Sequence, residues 1–212
     1  MASSWPSEVP YGSLLVYSPN GTSDESKKSR RVCYGLKQGD TALLSRALVL
    51  LKEAVQQGQL AGFFGPDVGL VPAPRSAPPV DGGHWPAKHL ATRLVEAGLG
   101  KAVYPYLTRS VAVPKSAYAA PGERPSVQRH YETIDVQGEL IAPTRLLVID
   151  DVVTRGRTLL ACVRRLQEAL PACEVRCFAL VRTKGLQPDV DRTLEPCIGR
   201  IFWTGSDADR EP

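Results

Sequence analysis

Residues 145–160 read RLLVIDDVVTRGRTLL, and the change of character along that stretch decides the fold. Leu146, Leu147, Val148 and Ile149 form a short continuous apolar run, the pattern of a parallel-sheet strand buried on both faces; a half-solvated strand would alternate. Two adjacent carboxylates follow, Asp150 and Asp151, then two valines, then Thr154-Arg155-Gly156-Arg157-Thr158. A hydroxyl- and glycine-rich turn that opens a helix presents free backbone N–H groups and the positive end of the helix dipole, which makes it an anion site. The order strand, acids, phosphate loop, helix suits a sugar phosphate. Amides and hydroxyls of residues 154–158 would cradle the phosphate, and Asp150 and Asp151, acceptor-only when ionised, would bind vicinal sugar hydroxyls.

Outward from this unit, Thr158 begins a helix with Leu159, Val163, Leu166 and Leu170 on one face before Pro171, residues 174–181 (EVRCFALV) form the next strand, and residues 200–203 a last short one. Upstream, residues 67–71 (DVGLV) run straight into Pro72-Ala73-Pro74-Arg75. Proline has no N–H for the ladder, so the strand ends there in a rigid loop. A helix follows with Pro86 in its first turn, Ala87, Leu90, Leu94 and Ala97 on one face, and Gly98 as its stop. Residues 101–107 (KAVYPYL) read as a short strand. Residues 108–130 have no sustained periodicity, three prolines and several basic side chains. Such a stretch is either a solvated surface loop or a lid that brings cations over a polyphosphate. Residues 131–136 read as a strand. Strands alternating with helices imply a central parallel sheet in an α/β fold.

The N-terminal part is less regular. Residues 1–12 are polar and Pro-bearing and are expected to be loose. Residues 13–18 (SLLVYS) and 31–36 (RVCYGL) read as strands joined by a turn-rich loop. Asp40 or Thr41 caps a helix carrying Leu44, Leu48, Leu51 and Val55. Residues 13–60 are expected to form a small layer ahead of the main sheet.

The 212 residues, 43% hydrophobic and 23% charged, suit one globular domain and exclude gross disorder. A formal charge of +4 is too small to mark a nucleic-acid binder, although it fits an anionic ligand. Cys33, Cys162, Cys173, Cys177 and Cys197 are odd in number and lack zinc-site spacing, so they read as free thiols of a reducing cytosol. No leader pattern opens the sequence and no apolar run reaches membrane-spanning length; a cytoplasmic protein with no membrane partner is expected.

The segment IDDVVTRGRT resembles the phosphoribosyl-pyrophosphate motif of type I phosphoribosyltransferases: apolar strand, two acids, then Thr-x-Gly-x-Thr. The chain is similar to the ComF-like branch of that family over roughly residues 13–205. Matching pieces are residues 17–21, Leu36-Lys37, residues 71–75 (VPAPR), Lys88-His89-Leu90-Ala91, Arg109 and Glu123-Arg124. The resemblance implies a type I phosphoribosyltransferase fold in one domain, with residues 13–60 as a small N-terminal hood over a core at about 61–205. It implies a transferase that binds phosphoribosyl pyrophosphate and passes ribose 5-phosphate to a small nucleophile, releasing pyrophosphate. The roles carried over are Asp150 and Asp151 for the ribose hydroxyls, Thr154, Arg155, Gly156, Arg157 and Thr158 for the 5-phosphate, and Ala73, Pro74 and Arg75 with Arg109 and Lys115 of the flexible segment for pyrophosphate. Mg²⁺ would arrive with the substrate, bound largely through its oxygens. Relatives of this fold commonly form homodimers.

Several residues depart from the family pattern. Arg155 and Arg157 stand in the phosphate loop; Arg157 either turns inward as a phosphate ligand or outward as a solvated charge. Gly83-His84-Trp85-Pro86 replaces the usual Arg-Gly-Phe-Asn, and Lys115 stands near the usual glutamine of the loop. His84 and Trp85 either line the acceptor pocket or are a helix-start histidine and a half-buried tryptophan. His130 reads as a base or as an exposed side chain. The basic cluster at Lys27, Lys28, Arg30 and Arg31 reads as solvated. Three functions remain open: the transferase, a binding or regulatory module that keeps the pocket without turnover, and, least favoured, a nucleic-acid binder.

Overall fold

A computed structural model describes residues 5–80, 82–114, 124–138, 143–185 and 189–212. Its centre is a seven-stranded sheet built from β1 (Glu8–Tyr17), β2 (Val68–Pro72), β3 (Ala102–Val103), β6 (Arg145–Val153), β7 (Glu174–Thr183), β8 (Leu194–Trp203) and β9 (Ala208–Glu211), in the order β3-β2-β6-β7-β1-β8-β9. The five strands from β3 to β1 are parallel to their neighbours, whereas β8 and β9 join antiparallel. The fold is therefore mixed α/β around a mostly parallel sheet, and the expectation of an all-parallel sheet holds only for that five-strand block. Two further strands, β4 (Leu107–Arg109) and β5 (Ile134–Val136), pair antiparallel in a small separate sheet.

Strand alternation divides the core in two. Leu146 and Val148 of β6 face a layer with Leu159, Leu160, Val163 and Leu166 of α5 (Arg157–Ala169) and with Leu107 and Ile134 of the small sheet. Leu147 and Ile149 face the opposite layer, with Leu44, Leu48 and Leu51 of α2 (Thr41–Gln56), Leu90 and Leu94 of α3 (Pro86–Glu96) and Cys33 of α1 (Asp24–Lys37). Both faces of β6 are buried, which is why it reads as an unbroken apolar run. Leu, Ile and Phe side chains buried to this degree each contribute about 1.5–3 kcal/mol to the fold.

The N-terminal elements depart from the sequence reading. Residues 13–18 are not in a separate layer: β1 lies inside the main sheet, parallel to β7 and antiparallel to β8. Nor are residues 5–12 loose, since β1 begins at Glu8 and Trp5 stacks on Trp203 with ring centroids 4.8 Å apart. Residues 31–36, expected as a strand, belong to α1, which is capped by the Ser23 hydroxyl accepting from Ser26 N–H. Lys27 and Lys28 pair with Asp24 and Glu25 one turn earlier. Between β1 and β2 the chain forms two helices, α1 and α2, on the face that α3 also covers, where a hood of strands and a helix was expected. Helix α2 starts as expected, with Asp40 accepting from the Ala42 and Leu43 amides at 3.0 Å.

Residues 108–130 are also more structured at their ends than expected. They open in β4 and close in α4 (Val127–Glu132); Lys115 and Glu123 lie outside the described residues. All five cysteines are unpaired. Among the described residues no helix is long and apolar enough to cross a membrane.

Candidate functional site at the sheet switch point

The connection β2–α3–β3 runs toward one edge of the sheet, and β6–α5–β7 runs toward the other. Helix α3 covers one face and α5 the opposite face. The strand order therefore reverses between β2 and β6, and in an open α/β sheet the crevice at such a reversal, beyond the strand C-termini, is where ligands bind. Both sequence stretches singled out above end at this crevice. The β2–β6 ladder stops at Pro72 opposite Ile149, with a final bond from Ala73 N–H to the Ile149 carbonyl at 2.8 Å. Beyond that rung β2 turns away, while β6 continues beside β7 to Val153.

The loop at residues 73–75 is braced by two side chains from outside β2. The Trp85 indole N–H donates to the Ala73 carbonyl at 2.7 Å, and Arg109 Nε donates to the Arg75 carbonyl at 3.0 Å. Arg109 is nearly fully buried, and its remaining donors go to Thr133 Oγ1 (2.6 Å), the His130 carbonyl (3.3 Å) and His130 Nδ1 (3.2 Å). Its guanidinium is committed to holding the loop.

His130 is buried rather than exposed. A guanidinium only donates, so Nδ1 must accept and the ring hydrogen sits on Nε2, aimed at Thr158 Oγ1 at 3.5 Å. Burial, and then the Arg109 charge, push the imidazole pKa down to about 3.

Asp150 and Asp151 stand where β2 leaves the ladder, both half-buried. Asp150 Oδ1 accepts from the Asp151 N–H at 2.9 Å. Burial and the adjacent Asp151 carboxyl hold Asp150 well above the usual carboxylate range. The Asp150 charge reaches Arg109, Cys162 and Cys177 on the α5 face, whereas Asp151 lines a cleft on the other face with Lys37, Gly39, His84 and His89. His84 reaches the Lys37 carbonyl through Nε2 at 3.1 Å. The structure thus brings His84 and Asp151 to one cleft, and it adds Lys37 and His89, which the sequence marked only as parts of the matching pieces Leu36-Lys37 and Lys88-His89-Leu90-Ala91.

The 154–158 loop is a tight turn into α5. Gly156 is the N-cap at φ +84°, and no side chain caps the helix. That backbone region favours glycine, and a Cβ here would also meet the Ile201 side chain at 2.7 Å. Thr154 and Arg155 are exposed. Arg157 takes neither position considered for it. Its Nε donates to Asp207 Oδ1 at 2.8 Å and its Nη2 to Oδ2 at 2.5 Å, while Nη1 donates to the Pro125 carbonyl at 3.2 Å. Arg155 Nη1 lies 3.6 Å from the same Asp207 carboxylate. Asp207 lies in the turn before β9, past the last strand the sequence showed, and only its negative charge near two loop arginines distinguishes it.

The fold and site therefore define an α/β protein with a candidate anion-binding crevice at its switch point. No known family model matches the chain, and no curated protein sequence matches it.

Proposed function

We propose that the crevice binds a phosphorylated pentose, and that the protein is a phosphoribosyltransferase using phosphoribosyl pyrophosphate. The observation that carries this reading is the convergence at one switch point of an acid pair, a rigid Pro-bearing loop and an uncapped helix start. Each part matches one part of the ligand. The α5 start, which has no side-chain cap, would face the 5-phosphate with its positive dipole end. Asp150 and Asp151 face the ribose hydroxyls. The braced 73–75 loop with Arg75 faces the leaving pyrophosphate. The residues also fit a Mg²⁺ carried in by the substrate: two adjacent carboxyls at the crevice suit an ion that favours phosphate oxygens and few protein ligands. When bound, the ion would neutralise charge on the departing pyrophosphate. The chain's own work is positioning and charge stabilisation, with no nucleophilic side chain required.

The test is calorimetric titration of phosphoribosyl pyrophosphate with Mg²⁺, together with pyrophosphate release in the presence of ammonia or nucleobases. Binding that weakens at least tenfold in both Asp150→Asn and Asp151→Asn, with release in the wild type, supports the transferase. Absence of binding sinks it. A second reading, a binding or regulatory module without turnover, is favoured by one observation: Arg109 and Arg157, both assigned to phosphates from sequence, are engaged by the fold itself. Tight binding without release for any acceptor selects that module.

A further inference from the structure

The turn at residues 154–157 is held by the C-terminal hairpin β8–β9. Arg210 of β9 donates through Nε to the Thr154 carbonyl (2.8 Å), through Nη2 to the Thr183 carbonyl (2.6 Å) and through Nη1 to Tyr11 Oη (2.5 Å). One guanidinium thus ties the start of the phosphate loop to the C-terminal end of β7 and to β1. Asp207, between β8 and β9, holds Arg157 through two oxygens. Ile201 of β8 fills the space beneath Gly156. Three contacts, at 154, 156 and 157, come from one hairpin, and Arg157 passes the last of them on to the Pro125 carbonyl beside α4. Among the described residues no side chain caps the α5 start, while the loop around it is fixed.

We propose that Arg210 is a positioning residue for the phosphate site: its three-way contact, with Asp207 and Ile201 beside it, holds the 154–158 turn in its anion-binding shape before ligand arrives. This rests on the sugar-phosphate reading above. A planar guanidinium with donors in fixed directions can span three acceptors, and a lysine ammonium on a flexible stem cannot hold the same geometry. Preorganising a binding turn raises affinity because the ordering cost is met during folding.

The experiment has two readouts. Backbone ¹⁵N order parameters are measured for residues 154–158 without ligand, and ribose 5-phosphate and phosphoribosyl pyrophosphate with Mg²⁺ are titrated calorimetrically. In the wild type the turn is expected to be rigid, with order parameters near about 0.85, falling toward about 0.6 in Arg210→Met and in Arg210→Lys. Affinity is expected to fall at least tenfold in Arg210→Met. Arg210→Lys keeps the charge, so a looser turn there separates geometry from electrostatics. Asp207→Asn removes a negative charge from beside the anion site and is read by order parameters alone, which are expected to fall. Arg200→Gln, which breaks only the outer pairs with Glu8 and Glu211, is expected to match the wild type. A folded Arg210→Lys with a wild-type turn, or a folded Arg210→Met with wild-type affinity, overturns the proposal. If Arg210→Met does not fold, Arg210→Lys and Asp207→Asn decide. A wild type that binds neither sugar phosphate overturns the functional reading, and the order parameters then show separately whether the hairpin holds the turn.

Discussion

At the residue scale the acid pair works against the stability of its own fold. A carboxyl whose pKa is raised in the folded state adds stability below its ordinary value, near 3.8, and loses it as pH rises through the folded value. At neutral pH a half-buried Asp150 beside Asp151 is therefore a cost. Asp150→Asn is expected to raise the thermal midpoint at pH 7 by about 2–4 °C for each kcal/mol recovered, while weakening sugar-phosphate binding. Scanning calorimetry checks this, and a lowered midpoint would refute it. His130 has the opposite pH signature. Its imidazole stays neutral in the fold down to about pH 3, whereas the unfolded chain takes up a proton near pH 6.5. Stability should fall as pH drops below about 6.5, by at most about 1.4 kcal/mol per pH unit. His130→Asn, whose amide oxygen can still accept from Arg109, should flatten the slope between pH 6.5 and 4.5, where the depressed carboxylates have yet to titrate. Asp150 and Asp151 were legible in the sequence because they interrupt an apolar run. His130 was not, because Arg109 and Thr158, which define its surroundings, are 21 and 28 positions away.

At the element scale the strand-to-helix turn depends on its glycine. Gly156→Ala would put a side chain at a left-handed φ, costing about 1–2 kcal/mol, and would press a methyl into Ile201, adding about 1–3 kcal/mol. Denaturant titration should show the sum, and Gly156→Ala combined with Ile201→Val should recover part of the second contribution only. Losing a cap is milder: Asp40→Ala should cost about 1 kcal/mol, because two amides of α2 lose their acceptor. The same elements show where sequence patterns mislead. Residues 31–36 carry Val, Cys and Tyr and read as a strand. The helix they join is set upstream, by Ser23 as cap, acids in the first turn and the Asp24–Lys27 and Glu25–Lys28 pairs. Helix α5 was readable because its apolar positions fall on one face and Pro171 follows its end.

At the scale of the whole molecule, β8 and β9 complete the sheet beside β1 and fasten the 154–157 turn. A chain ending at residue 193 would uncover one edge of β1, where Val9, Tyr11 and Leu15 are buried, and would release Arg182 from Glu195. An uncovered apolar edge invites pairing with other chains. Size-exclusion chromatography should show that truncated chain as aggregate, and a monodisperse folded product would count against this account. That residues 72–75 and 150–158 follow strand ends was legible from the order of strands and helices, whereas the reversal of strand order between β2 and β6 was not. The position of β1 was not: its apolar run fits any strand with two covered faces, and its partners are fixed only by tertiary pairing.

That pairing sets an order of events during synthesis. Glu8 lies opposite Phe202, and Tyr11 lies between Cys177 and Gly199, so β1 is bounded by strands synthesised long after it. Domains assemble as units, and pairings distant along the chain must await the segments they join. The apolar residues of β1 must stay unpaired, open to chaperones or to misassembly, until β7 and β8 have emerged. The arginine at position 210 arrives later still, so the 154–157 turn is fastened only after the strands around it have been made.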